Sequence, residues 1–196
     1  NGAGEEELLA NIEGALGAPD DWSSNGKHLL FEVLGKETQR DIWLLRFDQD
    51  KKAAPLLKTP AAETQARLSP DGQWMAYVSN ESGRDEVYVT PFPNVGPKWQ
   101  ISSEGGDLPR WGRDGRELFF LRPDNTVMVA PITETGTNVE VGAVKTLFKL
   151  NSPPGIFGSF SLAPEGSRFL ATTGTGGGAG ASLTLVVNWT AELKKK

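Results

Sequence analysis

The chain has 196 residues, of which 38% are hydrophobic, and its 20 basic and 25 acidic side chains give a formal net charge of −5. This charge offers no reason to expect nucleic acid or an anionic membrane as a partner. The absence of cysteine excludes disulfides, thiolate catalysis and cysteine-bearing zinc sites. The start lacks a signal-peptide pattern, and nowhere do about 18 apolar residues run together. We therefore predict a soluble single domain, and a start at Asn1 without methionine suggests a piece of a longer protein.

One pattern occurs four times along the chain, each time around a glycine. The copies WSSNGKHLLF, LSPDGQWMAY, WGRDGRELFF and LAPEGSRFLA align on Gly26, Gly72, Gly115 and Gly166. The intervals between these glycines, 46, 43 and 51 residues, are typical of β-propeller blades with four strands each. The sequence therefore predicts repeats at about 20–60, 64–103, 107–150 and 157–190 within a single all-β propeller domain, 1–196.

Each repeat opens with a predicted hairpin of two strands. In the second repeat Pro70 presets its backbone angle, Asp71 can accept bonds from the following amides, and Gly72 tolerates positive φ. A large apolar residue stands four positions before each glycine, and another stands three positions after it. We expect both positions in the core, at Trp22, Leu68, Trp111 and Leu162, and at Leu29, Met75, Leu118 and Phe169.

Further strands follow each hairpin. Third strands are predicted at 41–47, 86–92, 126–132 and 183–189, where β-branched and aromatic residues are abundant. Shorter fourth strands, beginning at Pro55, Trp99 and Thr146, complete only the first three repeats. The N-terminal segment EEELLAN, about 5–11, stands where a fourth strand belongs. We expect it to complete the C-terminal blade, either within a closed four-bladed chain or by strand exchange in a homodimer with eight blades.

The stretch LSPDGQWMAYVSNESGRDEVYV resembles the Pro-Asp-Gly repeat of TolB-type, WD-like β-propellers. Residues 79–93, 106–121 and 183–195 also resemble the C-terminal propellers of bacterial, acidobacteria-like serine/threonine kinases. Over about residues 5–195, this resemblance implies a sensory or interaction propeller attached to a kinase domain, often with a membrane-spanning helix between them. That context allows an extracytoplasmic or a cytoplasmic location. The chain has no kinase signature, so we expect it to be noncatalytic.

Other motifs favour structural roles. His28 is the only histidine, which excludes multi-histidine metal sites, and its position predicts a solvated or rim side chain. The glycine-rich segment 173–182 lacks the Lys-Ser/Thr ending of a phosphate-binding loop and is interpreted as a connection between strands. We predict no metal and no cofactor.

The candidate binding residues stand one position before each apolar anchor, namely Asp21, Arg67, Arg110 and Ser161. Strand alternation directs them away from the core, and the first strand of a propeller blade lines the central channel. Asp20 and Asp107 are expected near the channel mouth. A hydrated channel without a specific ligand is one reading. The functional reading is that Arg67 and Arg110 hold an anion or carboxylate.

The leading functional hypothesis is a noncatalytic propeller that binds a protein, a peptide or a small anionic ligand, in the setting of a bacterial kinase or related regulator. One alternative is a TolB-like periplasmic interaction protein. Another is the gating propeller of a prolyl-oligopeptidase-like hydrolase, although the chain contains no Gly-x-Ser-x-Gly elbow. Fold alone does not choose among these classes.

Overall fold

The computed structural model describes residues 8–10, 12, 17–48, 51–151, 159–163, 166, 168–174 and 181–187. These residues form sixteen strands and no helix, and consecutive strands in each sheet pair antiparallel. The all-β prediction is therefore confirmed. No helix in the described ranges is long and apolar enough to cross a membrane.

The strands form four successive sheets. The first contains β1 (Gly17–Trp22), β2 (His28–Leu34), β3 (Arg40–Arg46) and β4 (Ala53–Leu57). The second contains β5 (Glu63–Leu68), β6 (Trp74–Ser79), β7 (Glu86–Pro91) and β8 (Trp99–Gln100). The third contains β9 (Asp107–Trp111), β10 (Glu117–Leu121), β11 (Thr126–Thr135) and β13 (Lys145–Lys149), with β12 (Asn138–Val141) pairing with the end of β11. The fourth contains β14 (Phe160–Leu162), β15 (Arg168–Gly174) and β16 (Ala181–Val187).

The hairpin turns have the geometry that their sequences indicate. Gly72 has φ +71°, and its N–H donates to the carbonyl of Ser69 at 2.9 Å. The carboxylate of Asp71 accepts the N–H of Gln73 at 3.1 Å. The same glycine hydrogen bond closes the other three turns, at Gly26, Gly115 and Gly166, where φ is also positive. Because only glycine adopts this φ without strain, the repeated glycine fixes each turn.

The sheets pack face to face in chain order, and the first strands β1, β5, β9 and β14 contact one another in sequence. The first and second sheets share an apolar cluster that includes Leu30, Leu68 and Met75. The second and third share a cluster around Ala76, Trp111 and Leu118. The third and fourth share a cluster around Phe119, Leu162 and Phe169. Strand β6 is buried at every position because its sheet has a neighbour on both faces.

One predicted core residue lies at the surface. Trp22 is 54% exposed and stacks its ring on Phe47, with ring centroids 5.2 Å apart. The corresponding residues Leu68, Trp111 and Leu162 pack on the sheet that precedes their own. The prediction for Trp22 was wrong because no described sheet precedes the first one, so nothing of that kind covers its indole.

The N-terminal segment falls only partly within the described residues. Leu8, Leu9, Ala10 and Ile12 belong to no strand, and residues 5–7 and 11 lie outside the described ranges. Ala10 and Ile12 line a cleft of about 720 Å³ together with Val33 and Trp43 of the first sheet. Completion of the C-terminal blade by residues 5–11 stays a prediction.

Two of the remaining motifs are placed by the strands. His28 is half-buried beside Phe92, with the rings edge to face at 5.2 Å, and burial lowers the pKa of His28. The glycine-rich connection is shorter than its composition predicts, since β15 continues to Gly174 and β16 begins at Ala181. Residues 175–180 lie outside the described ranges.

Candidate functional site

The candidate binding residues lie on adjacent first strands. Asp21 is on β1, Arg67 on β5, Arg110 on β9 and Ser161 on β14. Arg110 interacts electrostatically with Arg67, Asp21 and Asp20, so these charged side chains form one cluster. Ser161 is an exposed neutral residue and adds no charge to it. Within the described ranges, no group of three or more histidine, cysteine or acidic residues could hold a metal ion.

Asp21 has a structural role across the first joint. One of its carboxylate oxygens accepts the N–H of Leu68 at 2.8 Å, and the other accepts the N–H of Trp22 at 2.9 Å. Both oxygens therefore bind backbone, and the first links β1 to the neighbouring sheet. These bonds stabilise the packing of the first two sheets, and the predicted role of Asp21 in ligand binding stays a prediction.

The two arginines are anchored by backbone carbonyls. Arg67 donates to the carbonyl oxygens of Asp20 and Ala66, the latter at 2.8 Å. Arg110 donates to the carbonyl oxygen of Pro109, also at 2.8 Å. A guanidinium has five N–H donors, so donors remain for a ligand on each side chain.

Asp107 belongs to a chain of hydrogen bonds that crosses three sheets. The N–H of Gln65 donates to Glu32 at 2.9 Å, and the side-chain amide of Gln65 donates to Asp107 at 2.6 Å. The side-chain oxygen of Gln65 accepts the N–H of Leu108 at 2.8 Å. Gln65 and Leu108 both have positive φ, 57° and 51°, at equivalent repeat positions seven residues before the turn glycine. These bulges turn each amide toward the preceding sheet.

Glu32 and Gln65 were missed at the sequence level. Glu32 is 8% exposed within the apolar run HLLFEVL, and Arg40 donates to it at 3.1 Å. A charged residue inside such a run is itself a signal, because an unpaired charge is rarely buried. Gln65 carried no comparable signal.

Two groups of the cluster have shifted pKa values. Burial and the negative charge of Glu32 raise the pKa of Asp20 to about 7, although attraction to Arg67, 3.8 Å away, opposes the shift. Within the described residues, the Oδ2 atom of Asp20 is buried without a hydrogen-bond partner. Side-chain hydrogen bonding with Glu32 also raises the pKa of Asp20. Burial and the positive charge of Arg67 lower the pKa of Arg110 to about 10, so Arg110 is still charged at neutral pH.

Replacing Asp20 with asparagine is expected to change the pH dependence of stability. The pKa of Asp20 is raised above its ordinary 3.8 in the folded chain, so between about pH 4 and 7 the folded chain binds more protons than the unfolded chain. Stability contributed by this proton is lost as the pH rises through that window. Urea unfolding at pH 8 should show the Asp20→Asn variant to be more stable by about 1–2 kcal/mol. The gain should vanish near pH 4, and a gain independent of pH would contradict this assignment.

Four antiparallel sheets that follow one another and place their first strands side by side define this chain as a β-propeller protein. The chain belongs to the TolB beta propeller domain family, whose model matches residues 2–195. The predicted resemblance to TolB-type propellers is thus confirmed.

Solved structures share this fold at low sequence identity. TolB from Acinetobacter baumannii superimposes with a TM-score of 0.69 at 20% identity, over 92% of this chain and 43% of that one. A puromycin-hydrolysing peptidase from Mycobacterium tuberculosis gives 0.65 at 17% identity, over 90% of this chain and 30% of that one. A prolyl endopeptidase gives 0.59 at 11% identity, over 89% and 28%. The present chain therefore spans less than half the length of each of these proteins.

Proposed function

We propose that this chain is a noncatalytic module that binds a protein, a peptide or a small anionic ligand at the inner edge of its sheets. The observation that carries the proposal is the pair Arg67 and Arg110, which occupy the same repeat position on β5 and β9. Each guanidinium is held by a backbone carbonyl, which reduces the entropy lost when it binds a carboxylate. In this proposal Asp107 and Asp21 hold the surrounding backbone, and Ser161 is an uncharged residue at the edge of the site.

The proposal is tested with acetylated tetraglutamate as the probe, and with acetylated tetraglutamine as its uncharged counterpart. By isothermal titration calorimetry, the wild type should bind the glutamate peptide and not the glutamine peptide. Arg110→Gln should weaken binding at least about tenfold, because it removes a charge-assisted hydrogen-bond donor.

The matched control is Arg113→Gln, which removes an exposed arginine from the neighbouring turn. Its affinity should stay within about twofold of the wild type, as expected for a solvated charge. Equal binding of the two peptides, or equal losses in the two variants, would count against a carboxylate site at Arg67 and Arg110.

We further propose that the module is the sensory or interaction region of a bacterial serine/threonine kinase or related regulator, in which binding alters the arrangement of attached domains, for instance by dimerisation. Support comes from the likeness of residues 79–93, 106–121 and 183–195 to such propellers. A TolB-like periplasmic interaction protein is one alternative. The other alternative is a propeller that gates a prolyl-oligopeptidase-like hydrolase, and the fold shared with solved peptidases supports this alternative.

A further inference from the structure

The three joints between neighbouring sheets are built from equivalent repeat positions. In each joint, one repeat contributes the residue four positions after its turn glycine. The next repeat contributes two residues, one four positions before and one three positions after its own turn glycine. The three sets are Leu30 with Leu68 and Met75, Ala76 with Trp111 and Leu118, and Phe119 with Leu162 and Phe169. Each sheet thus has a preceding face and a following face that are formed by the same repeat positions.

Among the described residues, the joint positions of the two terminal sheets include exposed apolar side chains on which no neighbouring sheet packs. On the following face, Leu30, Ala76 and Phe119 are all 0% exposed, but the equivalent Leu170 of the fourth sheet is 45% exposed. On the preceding face, Trp22 is 54% exposed whereas the equivalent Leu68 is 9% exposed. Leu29 and Phe31 beside it are half-buried, although their counterparts in the second sheet are almost fully buried.

We propose that the Leu170 face packs on the Trp22 face of a second copy of this chain, as a fourth joint equivalent to the three within the chain. Two copies contribute one face of each kind, so head-to-tail packing forms two identical joints and an eight-sheet ring with no open face. The arrangement continues an interface that the chain already forms three times. It is independent of what binds at Arg67 and Arg110.

Self-closure of one chain is disfavoured by the same observations. Trp22 and Leu170, which stand at joint positions of the two terminal sheets, are both exposed within the described part of a single chain. Ala10 and Ile12 line a cleft at the Val33 end of β2, on the same face as Leu29 but at the other end of the strand. The proposed joint at Trp22 therefore needs no exchange of the N-terminal segment.

Light scattering after size exclusion, across a dilution series, tests the proposal. The wild type should have about twice the 21.1 kDa mass of one chain and dissociate on dilution. Trp22→Glu and Leu170→Lys should each raise the dissociation constant at least about 100-fold, because each places a charge in an apolar joint. Val95→Glu, at a residue 37% exposed in the β7–β8 connection, is the matched control and should leave the mass unchanged.

Mixing the two disruptive variants distinguishes this joint from a general loss of folding. In the mixed dimer one joint pairs the glutamate with the lysine, and the other joint is entirely wild type. The mixture should therefore recover the dimer mass that neither variant reaches alone, and circular dichroism should match the wild type throughout. A wild type that stays monomeric on concentration, a mixture that does not dimerise, or unfolding of either single variant would each overturn the proposal.

Discussion

Phe119→Ala is expected to lower the free energy of unfolding by about 3–5 kcal/mol, the usual cost of emptying a fully buried phenylalanine site. Phe119 on β10 is 0% exposed and meets the ring of Phe169 edge to face, with centroids 5.2 Å apart. The substitution leaves a cavity between the third and fourth sheets, which both contribute to this cluster. Urea denaturation followed by tryptophan fluorescence measures the loss.

Phe148→Ala is the matched control, because Phe148 contacts the same ring of Phe169 at 5.3 Å but is only partly buried. Its expected cost is about 1–2 kcal/mol, since the partly open site loses less apolar burial. Equal losses in the two variants would contradict the placement of Phe119 at the centre of the joint.

Glu86→Ala is expected to cost about 2–4 kcal/mol, because the variant leaves buried donors without an acceptor. Glu86 on β7 is 0% exposed and accepts bonds from the Ser102 hydroxyl, from the Gly105 N–H at 3.0 Å and from Arg84 Nε at 2.6 Å. These bonds tie the third strand of the second sheet to the connection that leads into the third sheet. Chemical denaturation of the variant measures the effect.

Two comparisons isolate this network. Glu86→Gln keeps the volume and one acceptor, so its loss should be smaller than that of the alanine variant. Glu81→Ala removes an exposed glutamate paired with Lys98 and should change stability by less than about 1 kcal/mol. If Glu86→Ala proves as mild as Glu81→Ala, the buried network does not stabilise the connection.

The repeat and its turns could be predicted because their cause is local. Gly72 and its equivalents adopt positive φ, and Asp71 caps the amide two residues on, so sequence alone specifies the hairpin. The burial of an anchor residue has a different cause. Trp22 stands at the same repeat position as Trp111, yet its exposure depends on whether another sheet packs on the face that carries it.

The polar residues of the candidate site show the same limit. Strand alternation predicts that Asp21 and Arg67 leave the core, but not which groups they meet. Asp21 binds the backbone of the next sheet, which depends on the register between two strands far apart in sequence. The positive φ of Gln65 and Leu108 was equally hidden, because neither residue type favours that conformation.

Among the described residues, each sheet packs on its neighbours in chain order, and this packing also determines how the molecule opens. An array coupled only between adjacent units loses order from its ends, since a terminal unit is held by one interface and an inner unit by two. Hydrogen exchange should therefore be slowest in β6 and β10, whose sheets are covered on both faces, and faster in β2 and β15. Any partner that covers the terminal faces would remove this gradient and convert fraying ends into a single cooperative unit.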